Sequence, residues 1–144
     1  MAENKVDLRV VTPTEIKIQK DADMVIMRCI DGDMGVQPGH APFSVALDYG
    51  VLRIVNEGEE QRLAIYGGFA EIKDNALTIV TNGADFPEDI DYKRAEAERE
   101  RAEQRLHDHV TDVEVRNAQV LLRRALVRIE VSSYPFISRN EENE

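Results

Sequence analysis

The stretch Leu77-Thr78-Ile79-Val80-Thr81-Asn82-Gly83-Ala84-Asp85-Phe86-Pro87-Glu88-Asp89-Ile90-Asp91-Tyr92-Lys93-Arg94-Ala95 carries the chain from one kind of structure into another. Upstream of it, short apolar runs alternate with period two: Val6, Leu8 and Val10; Ile16 and Ile18; Val25, Met27 and Cys29 against Met24, Ile26 and Arg28; then Val51–Val55, Leu63–Tyr66 and Leu77–Val80. Asp-Gly, Pro-Gly, Glu-Gly and Asp-Asn pairs punctuate these runs, as turns between antiparallel strands do. The pattern predicts an antiparallel β-sandwich or barrel, placed as a sandwich at about residues 3–85. Downstream of Pro87 no glycine occurs, and Glu, Ala, Arg and Leu predominate as far as Ser132-Ser133. Those side chains lose little freedom in a helix, and nothing breaks the run except Asp and Thr near His107–Asp112, residues suited to caps. The fold class is therefore β + α: an N-terminal sandwich domain (1–86) followed by a two-helix hairpin (87–131, with helices at about 89–107 and 112–131). A polar tail, 132–144, is expected to be disordered.

The two helices are unequal. The first offers a thin stripe of Ala95, Ala102 and Leu106; the second carries Ala118, Leu122, Ala125 and Ile129 at helical spacing, with Val115 and Leu121 beside it. So small a shared core makes the hairpin marginal without a ligand or partner, which fits a conformational switch. A permanently docked hairpin is the alternative.

Charge narrows the function. The chain carries a formal net charge of -10, which argues against nonspecific binding to nucleic acid or anionic lipid. Tryptophan is absent and aromatics make up 6% of the residues, so a large aromatic-lined pocket is not expected. Cys29 is the one cysteine; it excludes an internal disulfide and reads as a small buried hydrophobe in a strand. No apolar run is long enough to span a bilayer and no cationic leader stands before one, so direct membrane insertion is not expected.

Against that acidic background, residues 115–129 contain Arg116, Arg123, Arg124 and Arg128 and no acid. The cluster points to an anionic partner or ligand, and it is also what a solvated helix face looks like. Arg124 and Arg128 lie four apart, Asp91 and Arg94 three apart, and Arg94 and Arg101 seven apart, each pair on one helix face. Folded antiparallel, the helices would bring four guanidinium groups together, an arrangement that makes sense around an anion such as a polyphosphate. Other chemistries find no support. The segment Asp31–Phe43 reads as a glycine-rich loop, yet no Gly-Lys-Ser or Gly-Lys-Thr follows it, as a P-loop would need. His40 has no second His or Cys at ligand spacing, and His107 and His109 face different directions, so no metal site is expected. His40 is expected to fix its own loop by hydrogen bonds. No nucleophile is paired with a base and its orienting partner, and the chain is not expected to be an enzyme.

Gly32-Asp33-Met34-Gly35-Val36-Gln37-Pro38-Gly39-His40-Ala41-Pro42-Phe43, followed fifty residues later by Ile90-Asp91-Tyr92-Lys93-Arg94-Ala95, resembles the epsilon subunit of bacterial rotary F-type ATP synthases. Val11-Thr12-Pro13, Gly67-Gly68-Phe69-Ala70-Glu71-Ile72 and the arginine-rich last helix extend the likeness over roughly residues 5–131. The resemblance implies a non-catalytic rotor subunit that couples the gamma subunit to the membrane ring of c subunits in a proton- or sodium-translocating complex. It also implies a mobile hairpin that restrains ATP hydrolysis at the catalytic beta subunits. Such a subunit is peripheral, held by the complex at the cytoplasmic face of the cell membrane. Carried over by position, ATP as a regulatory ligand would contact Asp85, Ile90, Asp91, Arg94, Ala95, Arg101, Arg124 and Arg128, with arginines on the phosphates and acids and main chain on adenine and ribose. Asp85 stands where the family commonly has Glu. Magnesium is left open, and no catalytic cofactor is implied. Asp33, Pro38 and His40 would lie at the contact with the ring and stalk, and Arg116 and Arg123 would face an acidic loop of the beta subunits. The alternative from another class is a free-standing nucleotide-binding sensor domain.

Overall fold

The structure, a computed structural model, describes residues 4–108 and 111–133. Eight strands come first: β1 (Val6–Val11), β2 (Ile16–Ala22), β3 (Met24–Cys29), β4 (Gly32–Val36), β5 (Phe43–Asn56), β6 (Glu59–Lys73), β7 (Ala76–Val80) and β8 (Ala84–Asp85). A 3-10 turn at Pro87–Asp89 leads into helices α1 (Tyr92–His107) and α2 (Asp112–Ser133). The strands run in the order β2-β1-β7-β6-β5-β3-β4, with β8 on β6, and they form the expected β-sandwich. One pair departs from the antiparallel expectation, because β1 and β7 run parallel. They are not joined by a hairpin; five other strands lie between them in sequence, so no tight turn dictates their relative direction.

The long β5–β6 hairpin serves both layers. Its Phe43–Leu47 and Gly68–Ile72 halves pair with each other, and β6 continues to β7; its other halves pair with β3 and β8. In β6 the core-facing side chains are Leu63 and Ile65 before the bend and Ala70 and Ile72 after it, so the strand changes parity once. The change falls at Gly67 and Gly68, both at positive φ (79° and 120°). Gly68 is doubly constrained, since a Cβ there would overlap the Val80 carbonyl oxygen.

Between the layers Leu8, Met27, Leu52, Ile54, Leu63, Ile72, Leu77 and Ile79 are fully buried. Cys29 is buried among them, and burial pushes its thiol up, so it behaves as the small hydrophobe expected. The segment read as a glycine-rich loop is half strand. Residues Gly32–Val36 pair as β4 with β3, from Cys29 opposite Gly32 to Val25 opposite Val36, and this ladder overrides the local glycine content.

The hairpin packs outside the sandwich. Ala95 and Ala102 of α1 and Ala118 and Ala125 of α2 are buried, while Leu106, Val115, Leu122 and Ile129 are half-buried. Leu121 is exposed. Helix α2 has a second buried face that the stripe did not predict: Val127 and Val131 close on Val51, Ala64 and Tyr66, with Tyr49 and Ile90 at the edge. An ion pair between Arg28 and Glu130 (3.3 Å) flanks this small core. Helix α1 begins at Tyr92, later than expected, because Asp91 is extended and its carboxylate accepts the Arg94 N–H (3.1 Å) as an N-cap. Thr111 Oγ1 accepts the Glu114 N–H at the start of α2 (3.3 Å), and α2 runs on to Ser133. His109 and residues 134–144 of the polar tail lie outside the described residues.

Candidate functional site

Residues 94, 98, 101 and 105 recur at steps of four, three and four, so they form one face of α1. The antiparallel return of α2 sets Leu121, Arg124 and Arg128 opposite that face. Between the helices lies a cleft of about 340 Å³ lined by Arg94, Arg101 and Arg105 from α1 and by Arg124 and Arg128 from α2, together with Glu98, Ala102 and Leu121. Among the described residues, five guanidinium groups thus meet a single carboxylate there. Among the described residues Arg101, Arg105 and Arg124 form no ion pair.

Arg128 is the junction between the cleft and the sandwich. Its Nε donates to the Tyr66 hydroxyl (2.9 Å), its Nη1 to Glu98 (3.3 Å), and its Nη2 lies 3.6 Å from Asp85 Oδ2. The Tyr66 hydroxyl in turn donates to Asp85 (2.6 Å). Burial, reinforced by the Asp85 carboxylate, pushes that hydroxyl well above the ordinary phenol range, so Tyr66 stays a protonated donor at physiological pH. Its ring also receives two cations, Arg124 at 4.9 Å and Arg128 at 5.4 Å from the centroid. The arrangement favours an anion. Guanidinium groups without carboxylate partners offer forked donors of the geometry that phosphate oxygens accept.

Arg94, Arg101, Arg124 and Arg128 are therefore brought together, whereas the other positions carried over from the resemblance do not line the cleft. Asp85 sits at the end of β8 on Arg128. Ile90 packs at the edge of the Val127 core, Asp91 caps α1, and Ala95 is buried. Arg116 is exposed, and Arg123 stands over the Tyr49 ring at 5.9 Å. Asp33 does not gather with Pro38 and His40. It pairs with Arg28 (3.7 Å) beside the β3–β4 turn, while Pro38 and His40 follow the other end of β4. The His40 Nδ1–H donates to the Ala41 carbonyl (2.8 Å) and the ring rests against Phe43, so the histidine does fix its own loop. The Gly39 N–H donates to Asn75 Oδ1 (2.7 Å), tying this loop to the β6–β7 turn. No group of three or more His, Cys, Asp or Glu suited to a metal occurs among the described residues, and no described helix is long and apolar enough to cross a membrane.

Sequence reasoning missed Glu98, Arg105 and Tyr66. A step of four residues onward from Arg94 and from Arg101 along the same helix face finds the first two. Tyr66 gave no signal, being one more apolar-looking residue in a strand.

Residues 5–87 match the family described as ATP synthase, delta/epsilon chain, β-sandwich domain, and residues 88–133 match its long α-helix domain. The ATP synthase epsilon chain of Syntrophomonas wolfei is 38% identical over 137 residues, covering 94% of this chain and 100% of that protein. That of Bacillus velezensis is 36% identical over 127 residues, covering 88% and 96% respectively. A chain in the Euglena gracilis mitochondrial ATP synthase structure, OSCP/F1/c-ring in rotational state 1, shares the fold with a TM-score of 0.80 at 24% identity, over 91% of this chain and 82% of that one.

Proposed function

The chain belongs to the ATP synthase delta/epsilon chain family, as an epsilon chain, and we propose that it acts as a non-catalytic central-stalk subunit whose hairpin restrains ATP hydrolysis and responds to ATP. The observation that carries this reading is the arginine cleft of a two-helix hairpin held to the sandwich by a small interface. The sandwich would join the gamma subunit to the ring of c subunits, with the Pro38–His40 loop at one end of it as a contact. The hairpin has two states in this reading. Docked, as in this structure, it leaves the catalytic beta subunits free; extended, it presents Arg116, Arg123 and the other α2 cations to an acidic surface there. ATP would favour the docked state, its phosphates on Arg94, Arg101, Arg124 and Arg128 and its nucleoside near Asp85, Ile90, Asp91 and Ala95. The residues present fit such a polyanion, since three of the cleft arginines lack carboxylate partners among the described residues. Family membership across both domains sets aside the free-standing sensor.

Truncating the chain after Asp89 in the assembled complex tests the brake. Hydrolysis should rise, and replacing Arg116, Arg123, Arg124 and Arg128 together by Ala should raise it as well. Unchanged hydrolysis on truncation would show that this hairpin restrains nothing. Retention of the truncated chain with the gamma subunit during purification tests the stalk assignment, which loss of the chain would overturn.

A further inference from the structure

Glu98 is the one carboxylate among the described residues that line the cleft, and both of its oxygens are engaged by cleft arginines. Oε1 accepts from Arg94 Nε (3.2 Å) on its own helix and Oε2 from Arg128 Nη1 (3.3 Å) on the other. A carboxylate that bridges two guanidinium groups is chemically close to a phosphate oxygen pair doing the same. Its side chain is 24% exposed, matching that of Arg128, so the Arg128 arm of the bridge is only partly screened by solvent, whereas Arg94 is 77% exposed and its arm is largely screened.

We propose that Glu98 is a built-in competitor for the polyphosphate: it occupies two of the arginines that the ligand needs and so sets the nucleotide concentration at which the cleft fills. The inference rests on the nucleotide reading above. A phosphate chain entering the cleft must displace the Glu98 carboxylate from Arg94 and Arg128 or share those arginines with it. Sharing leaves like charges side by side in a partly desolvated site, which weakens binding. The same bridge joins α1 to α2 when no anion is present, so Glu98 stabilises the docked hairpin and discourages its ligand at once. A purely structural bridge would do the first and not the second.

The test is calorimetry on the full chain with ATP, and separately with inorganic tripolyphosphate, at one fixed salt concentration. The proteins compared are wild type, Glu98→Gln and Glu103→Gln. Glu103 pairs with Arg99 (2.7 Å) away from the cleft and controls for the change in net charge. Glu98→Gln should bind both probes on the order of tenfold more tightly, with Glu103→Gln close to wild type. Binding by Glu98→Gln where the wild type shows none at millimolar ligand would support the same conclusion. Equal or weaker binding by Glu98→Gln, with wild type binding, would overturn the competitor role and leave the nucleotide site standing. Absence of binding in all three would remove the nucleotide site, and the competitor with it. A readout independent of the variant's folding is the carboxyl carbon-13 resonance of Glu98 in the wild type. It should move when ATP saturates the cleft, and a stationary resonance at saturation would sink the proposal.

Discussion

In the sandwich the fully buried residues include Leu8, Met27, Leu52, Leu63 and Ile72, whereas in the hairpin they are alanines, with Val127 and Val131 reaching the strands. A buried leucine or isoleucine contributes roughly 1.5 to 3 kcal/mol and an alanine methyl far less, so the two regions differ in what keeps them folded. The sandwich is held by area. The hairpin depends more on charge, through Arg128 on Tyr66, Asp85 and Glu98 and through Arg28 on Glu130. One region thus rests on buried area, and the other leans on a few polar contacts.

The contrast breaks most visibly if a sandwich residue can be cut without consequence. Leu63→Ala should cost about 2 to 5 kcal/mol in denaturant unfolding of the strands, since the enclosed site cannot collapse fully around the void. A loss under about 1 kcal/mol would mean that the strands do not form a tight core. On the hairpin side, Arg94→Ala and Arg128→Ala should each remove a charged hydrogen bond worth about 1.5 to 3 kcal/mol to a bound phosphate, weakening ATP roughly ten- to hundredfold by calorimetry. Arg128→Ala should also speed hydrogen exchange in α2 while β1 and β7 stay protected; uniform change across the chain would contradict the division into two regions.

Much of that division is legible in sequence. Period two located β1 and β3, and the absence of glycine after Pro87 located the helices. Gly32–Val36 looks like loop in sequence because Gly, Asp and Gly outweigh Val36 locally, and only pairing with β3 reveals the strand. The Val127 and Val131 face needs a sheet to be recognised, since α2 alone shows one apolar stripe. In the cleft, the four arginines followed from helical spacing. Tyr66 could not, because its contact with Arg128 spans 62 positions of chain and depends on how α2 lies on the sandwich.

Val127→Ala sharpens the comparison at smaller scale. Removing two buried carbons should cost about 1.5 kcal/mol of docking, seen as faster exchange in α2 with the unfolding midpoint of the strands unchanged. The smallest effect belongs to a sandwich ion pair. Arg53, against the opposing effect of burial and with help from Arg62, holds the Glu60 carboxyl below its usual value of 4.5. Its contribution is therefore present above about pH 4.5 and disappears as pH falls through the lower native value. Glu60→Gln should flatten that part of the acid unfolding profile by under about 1 kcal/mol and leave stability near pH 7 changed by no more than that. A larger loss would mean that charge matters as much to the sandwich as to the hairpin.

The seam of Ala95, Ala102, Ala118 and Ala125 has a consequence for solubility. Helices joined through leucines would, on parting, lay bare a sticky ridge able to capture neighbouring chains and precipitate. Here the fully buried seam residues are alanines, with Leu106, Val115, Leu122 and Ile129 only half-buried in the hairpin, so parting would newly uncover less apolar surface, and arginines and glutamates flank it. Were the hairpin to open as proposed above, it would expose less that could capture neighbouring chains than a leucine-sealed one.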